Sequence, residues 1–199
     1  MRIGVFGGTF DPPHLGHLIL ADEARYQLGI DLLLWVLTPA PPHKLGQSIS
    51  PTDQRLKLVK KTIEKNPNFT LSTVELDRPG PHYVIDTIRL LKEKFLNDEI
   101  CYLMGGDSLR NLPKWNEPID FIWSCDKLGV MRRPGDRIDL EELEEKIPGI
   151  TARVTFIDAP LLEISSSQIR ERISQGRPFQ YYLLPEVYSM ILNSGYYQE

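Results

Sequence analysis

The apolar run Ile3 to Phe6 breaks at once into Gly7-Gly8-Thr9-Phe10-Asp11-Pro12-Pro13-His14-Leu15-Gly16-His17. A buried strand giving way to a glycine turn, with a helix expected from near Leu15, is how a parallel strand runs into its crossover helix. Two glycines without Cβ atoms let the backbone approach an anion. The helix that follows points its free N–H groups and positive dipole end at the same place. His14 and His17 lie three apart on one helix face, where both can donate hydrogen bonds to a phosphoryl oxygen. The opening segment therefore proposes chemistry on a nucleotide phosphate.

Strand and helix patterns alternate from there nearly to the end. Strand candidates are Arg2-Phe6, Leu32-Leu37, Phe69-Glu75, Glu99-Met104, Leu128-Arg132 and Val154-Ile157, several of them apolar runs suited to burial on both faces. Helical stripes fill the gaps: Leu18, Ala21, Ala24 and Leu28; Leu56, Val59 and Ile63; Val84, Ile88, Leu91 and Phe95. Ser50-Pro51 reads as N-cap and first-turn proline of the second helix. The glutamates at 141, 142, 144 and 145 read as a solvated helix face. These patterns predict an α/β fold with a doubly wound, mostly parallel, Rossmann-like sheet and a small C-terminal helical segment. Right-handed crossovers would set the first and fourth strands side by side at the switch point where such sheets bind ligands. Gly7-Gly8 after the first strand and Gly105-Gly106-Asp107 after the fourth would then open onto one crevice. Neither turn matches GxGxxG or GxxxxGK[ST], so neither hydride transfer nor P-loop hydrolysis is indicated.

At 199 residues the chain is read as one domain, 1-199, with its helical part from about 165 to 199. The net charge of -4 and dispersed basic residues argue against a nucleic-acid footprint, so an anionic ligand must be held locally. Cys101 and Cys125 lack metal-type spacing and read as reduced, buried thiols. The longest apolar run, Leu32 to Leu37, is too short to span a bilayer, and the first strand leaves no room for a signal-type segment. A cytoplasmic protein with no membrane partner is expected. Self-association into a homo-oligomer is left open.

Two histidines around a glycine also suit a metal pair or a helix cap. A metal needs a third ligand, however, and although Asp11 is near, no matching His or Cys cluster exists. The second signal is Ile164-Ser165-Ser166-Ser167-Gln168-Ile169-Arg170, after the last strand. One serine there would mean only an N-cap. Three supply hydroxyls and amides together, and Arg170 one turn later can grip phosphate bidentately.

GGTFDPPHLGH followed at this separation by ISSSQIR resembles the nucleotidylyltransferase superfamily, marked by HxGH near one end and an [ST]SSTxxR-like motif near the other. Within it the chain is similar to the bacterial nicotinate-nucleotide adenylyltransferase family, through Pro41-Pro42-His43-Lys44, Gly105-Gly106-Asp107-Ser108, Leu112-Pro113-Lys114-Trp115, Arg132-Arg133-Pro134-Gly135 and Leu184-Pro185-Glu186-Val187-Tyr188. The resemblance implies transfer of AMP from ATP to nicotinate mononucleotide, giving nicotinate adenine dinucleotide and pyrophosphate on the route to NAD. It implies catalytic roles for His14, His17 and Arg170. ATP contacts fall at Gly7, Gly8, Thr9, Phe10, His17, Gly105, Asp107, Ser166, Ser167 and Arg170. Nicotinate mononucleotide contacts fall at Lys44, Tyr83, Val84, Asp107, Trp115 and Arg133. No metal ligands are implied in the protein, Mg2+ being carried by the ATP phosphates.

Read without the family, several of these residues have plainer roles. Lys44 is a loop lysine, Asp107 a helix cap, Trp115 a partly buried anchor and Arg133 the start of a surface loop. Val84 departs from the Thr or Ser common in the family, leaving only a backbone contact for the nicotinate carboxylate. Ser167 stands where Thr is more usual and keeps the hydroxyl. Adenylyl transfer to phosphopantetheine, cytidylyl transfer to a sugar or alcohol phosphate, and non-catalytic nucleotide sensing are the competing expectations. Lys44 and Trp115 lean against the first two, and the intact histidines and Arg170 against the third.

Overall fold

The computed structural model describes residues 1–41, 48–132, 137–160 and 162–198. Six strands form one parallel sheet in the order β3-β2-β1-β4-β5-β6. They are β1 (Arg2–Gly8), β2 (Leu32–Leu37), β3 (Phe69–Ser72), β4 (Glu99–Gly105), β5 (Lys127–Met131) and β6 (Val154–Ile157). The helices are α1 (Leu15–Leu28), α2 (Thr52–Ile63), α3 (Val84–Lys94), α4 (Gly106–Asn111), α5 (Pro118–Ser124), α6 (Leu140–Lys146), α7 (Ser166–Ser174) and α8 (Pro185–Ser194). The expected Rossmann-like doubly wound architecture is present.

Alternation along β1 sends successive side chains to opposite layers. Ile3 and Val5 join Ile85, Ile88 and Leu91 of α3 and Phe121 of α5 on one face. On the other, Phe6 meets Leu20, Ala21, Ala24 and Leu28 of α1 and Val59 and Ile63 of α2. A third apolar cluster joins Leu58 of α2 to Ile169 of α7 and Val187 and Ile191 of α8, which seats the C-terminal helices beside the first crossover. Among the described residues no helix is long and apolar enough to cross a membrane.

The register puts β1 between β2 and β4, with Phe6 opposite Leu103 and Gly8 opposite Leu37. Gly7 and Gly8, expected in the turn, are instead the last residues of β1. The parallel ladder with β2 continues through them, and Thr38 N–H donates to the Gly8 carbonyl at 2.9 Å. Gly105 likewise ends β4 opposite Met131, and α4 begins at the next residue. The third strand stops at Ser72 rather than Glu75, because Leu76 and Asp77 turn back to donate to the Thr73 carbonyl. For the second helix, Pro51 rather than Ser50 is the last residue before it, and Ser50 faces other partners described below. Cys101 and Cys125 are buried and free, as read. The glutamate run lies on α6, although Glu144 also accepts from the Gly149 and Thr151 amides beyond the helix.

Candidate active site

The loop from Thr9 to His14 leaves the end of β1 and feeds α1. Phe10 adopts a positive φ of 49° and is 2% exposed, so its ring turns down into the core while its backbone stays in the loop. There it packs on Phe6 at 5.3 Å and Trp35 at 5.0 Å, and edge-on to His17 at 5.1 Å. A Cβ at Gly8 would stand 2.8 Å from this ring, so glycine is needed there for the chain's own close packing.

His14 is the N-cap of α1 and stacks on His17, ring centroids 3.7 Å apart. The intervening Gly16 carries no Cβ, which would sit 3.1 Å from the His14 ring. His14 N–H donates to His17 Nδ1 at 3.2 Å. With Nδ1 accepting, the neutral His17 ring carries its proton on Nε2, which makes Nε2–H the donor for an incoming oxygen.

The serine motif reaches this loop from the other end of the chain. Ser165 is the N-cap of α7, accepting from Gln168 N–H at 3.2 Å while Gln168 Oε1 accepts from Ser165 N–H, so one of the three serines is spent on a capping box. Ser166 Oγ donates to the Pro12 carbonyl at 2.8 Å. Arg170 Nη1 donates to the Asp11 carbonyl at 2.6 Å, and Nη2 reaches Ser167 Oγ at 3.4 Å. The N-termini of α1 and α7 therefore converge with two imidazoles and a guanidinium, an arrangement suited to a polyphosphate.

Asp11 is 3% exposed and joins these parts, with Oδ2 accepting from Ser50 N–H at 3.1 Å and lying 3.7 Å from Arg170 Nη1. Tyr197 from the C-terminal tail buries its hydroxyl beside this carboxylate, and burial with the adjacent Asp11 charge pushes the phenol far above its ordinary range.

Arg55 on α2 is 1% exposed and spreads its whole guanidinium under the loops. Nε donates to the Ser50 carbonyl, Nη1 to the Thr9 and Thr38 carbonyls, and Nη2 to the Pro39 carbonyl, each at 2.9 Å, with Thr52 Oγ1 at 3.2 Å. Sequence reasoning missed it. The signal was an arginine in helical register with Leu58 and Thr62 on the face that proves buried.

Three of the remaining expected residues, Tyr83, Val84 and Trp115, pack against the apolar cluster of Ile3 and Val5 on the α3 face of the sheet. Tyr83 is the N-cap of α3 and Val84 its first residue. Arg78 braces this helix start, donating to the carbonyls of Pro81 at 2.9 Å and Tyr83 at 3.1 Å and to Thr87 Oγ1 at 3.2 Å. Thr87 Oγ1 donates onward to Glu75 Oε1 at 2.7 Å. Glu75 is 3% exposed, and burial raises its carboxyl above the usual range, against hydrogen bonds from Thr87 and Thr38 and the charge of Arg78. Neither Arg78 nor Glu75 was expected. Trp115 is partly buried, 5.5 Å from Phe121 and edge-on to Tyr102 at 6.5 Å. Asp107 lies in the first turn of α4, but Gly105 holds the N-cap position, so Asp107 does not cap that helix. Lys44 and Arg133 lie outside the described residues. Among those described, no group of three His, Cys, Asp or Glu side chains could hold a metal ion.

Residues 5–172 match the family model described as cytidylyltransferase-like. Over 99% of the chain the sequence is 39% identical to a Thermomicrobium roseum protein named probable nicotinate-nucleotide adenylyltransferase, covering 92% of it. It is 36% identical to the nicotinate-nucleotide adenylyltransferase of Bacillus subtilis, over 99% of this chain and 98% of that one. The fold matches Plasmodium falciparum nicotinic acid mononucleotide adenylyltransferase complexed with NaAD, with a TM-score of 0.80, 19% identity and coverage of 98% and 97% of the two chains. The same enzyme complexed with APC also matches with a TM-score of 0.80.

Proposed function

The chain belongs to the cytidylyltransferase-like family and to its nicotinate-nucleotide adenylyltransferase branch, and from that premise we propose how its residues move AMP from ATP to nicotinate mononucleotide, as an enzyme of NAD biosynthesis. A phosphate oxygen of the mononucleotide attacks the α-phosphorus in line. The new P–O bond forms as the bond to the β-phosphate oxygen breaks, and pyrophosphate leaves with that electron pair. No protein nucleophile is required, so the protein's task is alignment of two polyanions and stabilisation of developing charge.

His14 and His17 Nε2–H face the ATP phosphates. Ser166, Ser167 and Arg170 hold the β and γ groups, the Thr9 and Phe10 amides lie at the reacting phosphate, and Gly7, Gly8 and Gly105 offer main-chain contacts to ATP. Asp107 accepts from ribose hydroxyls. On the acceptor side, Lys44 and Arg133 supply positive charge, Trp115 stacks on the pyridine, and the amides at Tyr83-Val84 receive the nicotinate carboxylate. The donors at the α1 and α7 ends suit phosphate oxygens, and Mg2+ would ride on the ATP phosphates and offset their charge. Residues 1-199 act as one nucleotidylyltransferase domain. It works in the cytoplasm, where thiols such as Cys101 and Cys125 stay reduced.

The observation that supports this reading is the junction of Ser166 with Pro12 and of Arg170 with Asp11, which brings the two motifs together. Pyrophosphate release should be measured with ATP and, in parallel, the nicotinate and nicotinamide mononucleotides and phosphopantetheine. Turnover fastest with the acid mononucleotide is expected. Equal or faster turnover with phosphopantetheine would remove the assignment.

A further inference from the structure

Arg55 lies beneath the loop that follows β1 and is 1% exposed. Its five N–H groups are all directed to oxygens of the chain: Thr9 after β1, Thr38 and Pro39 after β2, and Ser50 and Thr52 before and in α2. Thr9 decides what this does. A trans peptide is planar, so the carbonyl of Thr9 and the N–H of Phe10 share one plane and point in opposite directions. Holding the carbonyl at the guanidinium turns the Phe10 N–H to the side of the peptide away from Arg55. The buried Phe10 ring, at φ 49°, anchors the same peptide from its other end.

We infer that Arg55 is a positioning residue for adenylyl transfer, aiming the Phe10 amide at the reacting phosphate by fixing the Thr9 peptide against the ends of β2 and α2. This rests on the adenylyl-transfer reading. Lysine cannot replace it, because an ammonium offers three donors from one point, whereas the acceptors here surround a planar fork. ATP itself is gripped by the histidines and by α7, so loss of Arg55 weakens the transition state more than ATP binding.

The test compares Arg55→Lys and Arg55→Gln with the unaltered protein. Titration with ATP alone counts binding sites and gives Kd, and turnover with nicotinate mononucleotide is expressed per ATP-binding site. Expected is a Kd for ATP within about threefold of the unaltered value, with kcat per site lower by about a hundredfold, the scale of an ångström misplacement. If kcat per site is retained and only the number of sites falls, Arg55 is merely structural and the inference is overturned. Should neither variant bind ATP, Thr52→Val removes one acceptor alone. It should lower kcat per site by about fivefold, and unchanged kcat per site would overturn the inference. Absence of transfer by the unaltered protein would instead sink the functional reading.

Discussion

Arg170 Nη1 donates to the main-chain carbonyl of Asp11 at 2.6 Å across 159 positions of sequence, while Oδ2 of the same aspartate lies 3.7 Å away. The guanidinium is thereby turned toward the loop between β1 and α1 before any phosphate arrives, which lowers the cost of ordering it on binding. Arg170→Ala should cut kcat/KM for ATP by at least about a hundredfold, with Arg170→Lys recovering only part, since a point charge cannot bind bidentately. Steady-state kinetics with varied ATP checks both. Equal activity of the lysine and arginine forms would exclude a bidentate role.

His17 offers Nε2–H because its Nδ1 accepts from the His14 amide. His17→Ala should lower turnover by about a hundredfold or more, the scale of losing one preorganised donor. The circular dichroism spectrum should not change. Unaltered turnover takes this imidazole out of the mechanism.

Trp115 packs against Tyr102 and Phe121 and is only partly buried. Trp115→Ala should weaken nicotinate mononucleotide by about 1–3 kcal/mol, a base-stacking magnitude, and leave ATP affinity unchanged. Calorimetric titration of each substrate separates the two. Equal losses would make the tryptophan an anchor of the fold only.

Glu75 is buried and its carboxyl is raised, so the folded protein holds that proton more tightly than the unfolded chain. The stability this contributes is complete below the ordinary carboxyl value of 4.5 and is lost as pH rises through the folded value. Glu75→Gln should therefore raise Tm near neutral pH, with the gain shrinking toward pH 4. Thermal melts across pH test the sign. A gain that grows in acid contradicts it.

Burial pushes the Cys101 thiol up to about 11 and the Cys125 thiol higher still. In the native protein at pH 8 neither should react quickly with an aromatic disulfide reagent, whereas both should in denaturant. A fast native phase would show that one of them is accessible.

Much of the fold was readable because its signals are local. The apolar runs of β2 and β4 and the stripe of α3 repeat at the periods of a buried strand and a one-sided helix, and parallel crossovers then place β1 beside β4. Boundaries were less readable. β1 continued through Gly7 and Gly8 because β2 offered partners for them, and β3 stopped early because Thr73 found its bonds in a turn. Each depended on a neighbour distant in the chain.

By itself the sequence determined which residues bring anion-binding chemistry, since paired histidines and a serine-arginine helix start are properties of side chains and their spacing. Only the tertiary structure decided which atoms those residues spend on one another: Ser165 on its own helix cap, Ser166 on Pro12, Arg170 on Asp11. The partners of Arg55 and Glu75 are of that second kind. An arginine or glutamate reads as a surface charge until burial removes its water, and only the packed chain shows which oxygens and hydroxyls take the water's place.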